Sequence, residues 1–181
     1  EESIKHLVNS GKEAIFDAEH FFDGFKSNPN YSFECLLAAY QSKADWIVLC
    51  DTNGGTLPNE IYEIVKNIIK MGIPGNKLGI HSHNDTDNAV ANSFAAIDAG
   101  VRQIQGTING LGERCGNANL VSIIPTLILK KHFNERFDVN IDKTKLKDMT
   151  KLSRILDEIL NRVPNKASPY VGAAAFSHKA G

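Results

Sequence analysis

The sequence is poor in the features that mark secreted, membrane-spanning and nucleic-acid-binding proteins. Its three cysteines lack Cys-x-x-Cys spacing, so we expect reduced thiols rather than a disulfide framework. No run approaches the ~20 apolar residues of a membrane span, and the first residues contain no apolar core of a secretory signal. The 20 basic and 21 acidic residues nearly cancel, which argues against nucleic acid as the main partner. We therefore expect a cytoplasmic protein with neither a membrane nor a nucleic acid as partner.

What the sequence does contain is a series of short apolar segments, each followed by a helical pattern. After the second segment, for example, apolar residues recur from Ile61 to Ile68 at helical spacing, with Pro58 near the first turn and Gly72 after the end. Alternating strands and helices of this length predict parallel β/α units with right-handed crossovers, and hence an α/β fold. The predicted strands are 13–19, 45–51, 77–83 and 101–107.

Further helices are predicted around and between these strands. Residues 1–10 look like the last turns of a helix, and 89–99 form the helix after the third strand. A helix over 117–131 follows the fourth strand, where Pro125 either kinks the helix or marks its real start. Asp142 can cap a last helix, which carries Leu146, Met149, Leu152, Leu156, Ile159 and Val163.

Polar residues cluster where each of the four predicted strands ends. Burying so many polar groups is costly unless they bind a ligand or one another, and parallel α/β folds place their chemistry at the carboxyl ends of strands. Helix capping explains a single strand-end aspartate, but four consecutive strands favour a shared active site. The segments are 17–20, 50–53, 81–85 and 105–117, the last of which runs into a glycine-rich loop.

Two histidines separated by one residue end the third predicted strand. Side chains alternate between the faces of a strand, so His81 and His83 are predicted to point to the same side. A pair of imidazoles in this arrangement can bind a divalent cation. The alternative is one inward structural histidine and one residue that caps the next helix.

Four motifs together resemble one known family. They are Phe-Asp-Ala-Glu-His-Phe-Phe-Asp-Gly at 16–24, Leu-Cys-Asp-Thr-Asn-Gly-Gly at 49–55, His-Ser-His-Asn-Asp at 81–85 and Gly-Glu-Arg-Cys-Gly-Asn at 112–117. The chain resembles the carboxyl-terminal half of the catalytic barrel of the 2-isopropylmalate/homocitrate/citramalate synthase family, which is related to the HMG-CoA lyase-like metal-dependent TIM barrels. The first two motifs are most similar to the citramalate synthase-type branch.

The resemblance implies roughly half of a (β/α)8 barrel over residues 1–132, and a helical extension with the start of a post-barrel segment over 133–181. It also implies an acyltransferase of branched-chain amino-acid biosynthesis. In this reaction the methyl carbon of acetyl-CoA adds to the ketone of a 2-keto acid, and hydrolysis then releases CoA. Pyruvate, giving citramalate, is the favoured 2-keto acid, and 2-isopropylmalate or homocitrate synthesis is the alternative.

Two other functions stay open beside this one. A non-catalytic chain of the family could still bind a metal ion or a keto acid. An HMG-CoA lyase-like cleavage is disfavoured, because the lyase branch has a different loop in place of Gly-Glu-Arg-Cys-Gly-Asn.

The resemblance also assigns roles to single residues. His81, His83 and Asn117 match the family's metal ligands, and the cation is Zn, Mn or Mg. Glu19 and Thr52 match positions that contact the keto acid, with the Thr52 hydroxyl donating to its carboxylate, and we take both as catalytic candidates.

Five further polar residues have less definite roles. Asp51, Asn84 and Asp85 either orient the imidazoles or cap loops. Asp17 and His20 are expected to belong to a capping network at the strand ends.

Two parts of the family pattern are missing from these residues. The Asp-x-x-x-Arg-Asp-Gly motif, which supplies a metal-binding Asp and an Arg near the developing oxyanion, is absent from the 181 residues. The segment 175–181 matches the start of an Ala-Phe-x-His-x-x-Gly motif and ends before the catalytic His that follows it, so His178 is not that residue. We therefore expect the chain alone to be inactive, and its unpaired strand edges predict a homo-oligomer.

Overall fold

The computed structural model describes residues 1–177 and contains four strands and eight α-helices in that range. By their contacts the residues form two compact units, one of 1–106 with 112–118 and the other of 107–111 with the chain from 119 onward. The strands are β1 (Ile15–Ala18), β2 (Trp46–Asp51), β3 (Leu78–Ser82) and β4 (Gln103–Gln105). The helices are α1 (Glu2–Asn9), α2 (Phe21–Ser27), α3 (Pro29–Gln41), α4 (Pro58–Lys70), α5 (Ala89–Ala99), α6 (Leu120–Leu129), α7 (Lys131–Asn134) and α8 (Met149–Ile159).

The four strands form one parallel sheet in the order β1-β2-β3-β4. Each strand lies inside its predicted segment, and α5 has the predicted bounds. Successive parallel strands with a helix between each pair make a partial (β/α) barrel, which confirms the α/β prediction. The predicted division of the chain after residue 132 is untested and stays a prediction.

Alternation along the strands separates the two faces of this sheet. Ile47, Leu49 and Ile80 are fully buried in the core cluster that includes Ile61 and Val65 of α4. The residues that alternate with these lie on the opposite face. On that face, Cys50 of β2 lies next to His81 of β3, and His81 lies next to Gln105 of β4. The side chains that bear chemistry therefore lie next to one another on the face turned away from the helices.

Shortening a side chain should lower stability most in the core between the sheet and the helices. We predict that Leu49→Ala lowers the free energy of unfolding by about 2–5 kcal/mol, because a fully buried leucine loses its contacts and leaves a cavity. Urea unfolding of the chain measures this change. Val163→Ala is the control, since Val163 is 89% exposed and its truncation should change the free energy by less than about 0.5 kcal/mol. A Leu49→Ala loss as small as that would contradict the core assignment.

Two helices after the strands differ from the prediction. A separate helix α2 follows β1, and Asn28 then caps α3 by accepting a hydrogen bond from the Tyr31 N–H at 3.1 Å. Pro125 lies inside α6 and is not its start. The helix begins at Leu120, because the Asn119 side chain accepts from the Val121 N–H at 3.0 Å and so satisfies the first turn.

The last predicted helix is shorter than expected. Asp142 is an N-cap, as predicted, because its side chain accepts from the Thr144 N–H at 2.8 Å. The segment that it caps, 143–148, is a 3-10 helix. Helix α8 follows it and ends at Ile159, so Val163 lies beyond the helix. Within residues 1–177, no helix is long and apolar enough to cross a membrane. The predicted motif at 175–181 extends beyond these residues, and His178 lies outside the part of the chain that the structure describes.

Candidate metal and substrate site

The two histidines of β3 lie side by side. His81 is within the strand and His83 directly follows it, and their ring centroids are 5.2 Å apart with 31° between the ring planes. Both rings therefore face the same side of the sheet. This is the placement that the His-x-His spacing predicts.

Asn117 is brought to the histidines by a short antiparallel pairing of its loop with the end of β3. The pairing places Asn117 opposite His83. It is held by the Asn84 N–H donating to the Gly116 carbonyl at 2.9 Å and the Ala118 N–H donating to the Ser82 carbonyl at 3.0 Å. Opposite residues in an antiparallel pair point to the same side. The Asn117 Oδ1 atom consequently lies 3.1 Å from His81 Nε2, and the structure brings the three predicted ligands together.

Glycines make this approach of Asn117 possible. Gly116 has a φ of +89°, a conformation that residues with a Cβ rarely adopt. The Asn117 amide lies against Gly112, where a Cβ would overlap its nitrogen. The glycine-rich loop thus shapes the position of the Asn117 side chain.

The chemistry of these donors fits a divalent cation. His83 is buried, and its Nδ1 has no hydrogen-bond partner among the described residues. Burial and the nearby positive charges of Arg114 and His81 lower the pKa of His83, which favours the neutral imidazole that ligates a metal. No group of three or more His, Cys, Asp or Glu residues is placed for a metal within 1–177, and the atom that faces His81 Nε2 is the Asn117 amide oxygen. Two imidazoles with an amide oxygen suit Zn or Mn.

Cys50 is the register partner of His81, and its side chain is buried. Burial, with Glu19 and Asp17 adding negative charge, raises the pKa of its thiol to about 12. In the chain without a metal ion the Cys50 thiol therefore keeps its proton near neutral pH.

The two predicted substrate-binding residues are in direct contact. The Thr52 hydroxyl donates to the Glu19 carboxylate at 2.8 Å and accepts from the His20 N–H at 2.8 Å. His20, which caps α2 with a φ of +55°, therefore contributes its backbone to this cluster. Glu19 is exposed and Thr52 half-buried at the ends of adjacent strands, so both can be reached by a small molecule.

Gln105 contacts His81 and was not assigned a role from the sequence. Its Oε1 lies 2.7 Å from His81 Nδ1, and its Nε2 donates to Asp17 Oδ1 at 3.0 Å. Asp17 therefore does belong to a network at the strand ends. The only signal in the sequence was the polar end of the fourth strand, which does not reveal the register with β3.

Asp51, Asn84 and Asp85, whose role the sequence left open, hold loops in place rather than orient the imidazoles. The buried Asp51 accepts from the Thr56 hydroxyl at 2.8 Å, and burial raises its pKa. Asn84 accepts from the Ala89 N–H at 3.1 Å at the start of α5. Asp85 binds Arg114.

Arg114 ties the loop after β4 to the ends of two other strands. Its guanidinium donates to both Asp85 carboxylate oxygens, at 2.8 and 3.0 Å, and to the Thr52 carbonyl at 2.6 Å. These hydrogen bonds hold the pKa of Asp85 below its usual value. The Arg114 backbone has a φ of +52°, a left-handed conformation that residues other than glycine adopt rarely. The sequence identified the Gly-Glu-Arg-Cys-Gly-Asn motif but did not predict the hydrogen bond from Arg114 to the Thr52 carbonyl, which joins residues 62 positions apart.

The chain is similar to curated proteins over nearly its whole length. The chain is 54% identical over 180 residues to the (R)-citramalate synthase of Aquifex aeolicus, covering 99% of this chain and 33% of that protein. It is 35% identical over 190 residues to a 2-isopropylmalate synthase of Prochlorococcus marinus, covering 98% and 34%. It spans about a third of the length of these curated relatives.

A solved structure shows the same fold, and a family model matches most of the chain. An HMG-CoA lyase from Acinetobacter baumannii has the same fold, with a TM-score of 0.62 and 24% identity over 75% of this chain and 44% of that one. Residues 1–154 match the HMGL-like family, which is most of the chain. The chain therefore belongs to the HMGL-like family.

Proposed function

We propose that this chain supplies the carboxyl-terminal part of the active site of an acyltransferase that condenses acetyl-CoA with a 2-keto acid. The observation that carries the proposal is the convergence of His81, His83 and Asn117, together with the Glu19–Thr52 pair at the carboxyl ends of the neighbouring strands β1 and β2. The identity of 54% with an (R)-citramalate synthase, against 35% with a 2-isopropylmalate synthase, supports pyruvate as the keto acid.

The proposed site has a cation-binding part and a substrate-binding part. His81, His83 and Asn117 would hold the divalent cation, which when bound polarises the keto oxygen and binds the adjacent carboxylate. The Thr52 hydroxyl would donate to that carboxylate once it turns from Glu19. Arg114 lies in the Asn117 loop and would hold that loop against the residues that follow β2 and β3, because it donates to the Thr52 carbonyl and to Asp85.

The proposed reaction is a Claisen-type condensation followed by hydrolysis. The acetyl-CoA methyl group loses a proton, its carbon bonds to C2 of the keto acid, and the keto oxygen gains a proton. Water then cleaves the thioester, which releases CoA and the 2-alkylmalate. With pyruvate the product is citramalate, a precursor in branched-chain amino-acid biosynthesis. Homo-oligomer formation and cytoplasmic location stay predictions that belong to this proposal.

The test is a steady-state assay of the complete gene product that contains this sequence. We expect thiol release from acetyl-CoA to depend on a 2-keto acid, with the highest kcat/KM for pyruvate among pyruvate, 2-ketoisovalerate and 2-ketoglutarate. A preference for 2-ketoisovalerate would favour 2-isopropylmalate synthesis instead. A folded gene product that binds the cation but releases no thiol with any of them would favour a non-catalytic binding function.

The 181-residue chain assayed by itself is expected to release no thiol above background. Catalytic groups act as a unit, and removing members of such a unit costs several orders of magnitude in rate. These residues do not include the Asp-x-x-x-Arg-Asp-Gly motif that the family resemblance requires. Turnover by the chain alone at a rate near that of the complete gene product would contradict this prediction.

A further inference from the structure

We propose that Asp17 and Gln105 are positioning residues that hold the His81 ring in the tautomer protonated at Nδ1, so that its Nε2 lone pair faces Asn117. The purpose of this arrangement rests on the cation site proposed above. Its geometry does not, because the hydrogen bond that Gln105 donates to Asp17 and the one that Gln105 accepts from His81 are made by the chain alone.

Asp17 determines which way the Gln105 amide is turned. The Gln105 Nε2 atom lies 3.0 Å from Asp17 Oδ1. An ionised carboxylate only accepts hydrogen bonds, so the nitrogen end of the amide must face Asp17. The oxygen end is then directed at His81, and the amide cannot turn over without placing two oxygens against each other.

The orientation of Gln105 in turn selects the His81 tautomer. The Gln105 Oε1 atom is 2.7 Å from His81 Nδ1 and the Asn117 Oδ1 atom is 3.1 Å from Nε2, and both oxygens only accept, so a neutral ring can donate to only one of them. The shorter contact, to an amide whose orientation Asp17 fixes, assigns the proton to Nδ1. In the neutral ring the lone pair is then on Nε2, the nitrogen that lies 3.1 Å from Asn117 Oδ1. The nitrogen that faces the other proposed ligand is thereby left able to bind a cation.

The placement of these residues in the sheet argues against a simple loop cap. Asp17 is on β1 and Gln105 on β4, the two outer strands of the four, and they are 88 positions apart in the sequence. Gln105 is the register partner of His81 on the face turned away from the helices. Asp17 is exposed, so its hydrogen bond adds little to stability, and its effect is on orientation.

The experiment reads the tautomer directly in the metal-free chain. Long-range proton–nitrogen NMR correlations of the 15N-histidine-labelled chain, treated with EDTA at mildly alkaline pH where imidazole is neutral, distinguish protonated from unprotonated ring nitrogens. We expect wild-type His81 to carry its proton on Nδ1. Gln105→Met should move the proton at least partly to Nε2, because the thioether no longer accepts from Nδ1 while Asn117 Oδ1 still accepts from Nε2.

A charge reversal at Asp17 gives a sharper test. In Asp17→Lys the ammonium donates to Gln105 Oε1 and turns the amide over, so Gln105 Nε2 donates to His81 Nδ1 and the ring switches to the Nε2-protonated form. Asp17→Asn should restore the wild-type tautomer, since the Asn oxygen can accept from Gln105 as the carboxylate does. Gln41→Met, at the exposed end of α3, is the matched control and should change nothing.

Zinc titration supplies the second readout. Gln105→Met and Asp17→Lys should raise the dissociation constant for Zn²⁺ about 10–100-fold, as is typical when a group that orients a ligating histidine is removed. Asp17→Asn and Gln41→Met should stay close to wild type. If a variant fails to fold, the wild-type tautomer still decides the question.

The outcomes separate the inference from the proposed function. Nε2-protonated or mixed His81 in the wild type, or unchanged tautomer and zinc affinity in Gln105→Met, would overturn the role of Asp17 and Gln105. An Nδ1-protonated His81 that switches in Asp17→Lys supports that role. If the same wild-type chain and the complete gene product then bind no Zn²⁺, Mn²⁺ or Mg²⁺, it is the proposed cation site that fails.

Discussion

His83→Ala in the complete gene product should lower kcat/KM with pyruvate by about 10³-fold or more. The buried His83 ring has an Nδ1 without a hydrogen-bond partner in the described chain, and its lowered pKa favours the neutral form. A buried nitrogen without a hydrogen-bond partner needs an explanation, and the proposed cation supplies one. Steady-state kinetics, with titration of Zn²⁺ or Mn²⁺ into the chain, measure the effect.

Two comparisons make the His83 result specific. His6→Ala is the matched control, because His6 is exposed near the end of α1 and its loss should leave kcat/KM and cation affinity unchanged. The double variant His81→Ala/His83→Ala should be little worse than His83→Ala, since ligands of one cation act as a unit. Unchanged cation affinity and kcat/KM in His83→Ala would contradict the proposed cation site.

The sequence was sufficient to locate the strands and most of their helices. The predicted strands match because each is a short apolar run that ends in polar residues, and α5 matches because Gly100 follows its last residue. Helix α2 was not separated from α3, because its seven residues follow β1 almost directly and are too few for a clear period. Of the two alternatives for Pro125, the structure excludes a helix start, because the Asn119 cap decides where α6 begins and the proline lies inside the helix.

The placement of the site residues was predictable only where it follows from local periodicity. The shared face of His81 and His83 is set by alternation along one strand. The contact of His81 with Gln105 depends on the register of two strands, and the hydrogen bond from Arg114 to the Thr52 carbonyl depends on a loop conformation. Both are fixed by packing between segments distant in the chain, which no local pattern encodes.

The approach of Asn117 to the histidines likewise depends on a residue that carries no chemistry of its own. The Asn117 amide lies against Gly112, and a Cβ added there would overlap the amide nitrogen. The backbone at Gly112 does not have a positive φ, so alanine is acceptable to the main chain and the overlap with Asn117 is the main consequence. Gly112 is therefore a probe of Asn117 placement that leaves every donor atom of the site in the sequence.

Gly112→Ala should weaken binding of Zn²⁺ or Mn²⁺ about 10–100-fold, by displacing a ligand that stays chemically intact. Isothermal titration of the chain measures this affinity, and thermal unfolding of the metal-free variant checks its fold. Gly55→Ala is the matched control, since it lies in another strand-end loop, has no positive φ, and its added Cβ would meet open space. Its affinity should equal that of the wild type.

The double variant Gly112→Ala/Asn117→Ala decides whether the effect acts through Asn117. If Gly112 matters only because it leaves room for the Asn117 amide, the double variant should bind the cation no more weakly than Asn117→Ala alone. Fully additive losses would mean that Gly112 acts on the site by another route. Wild-type affinity in both Gly112→Ala and Asn117→Ala would remove Asn117 from the proposed ligand set, and the two histidines would then need a different oxygen partner.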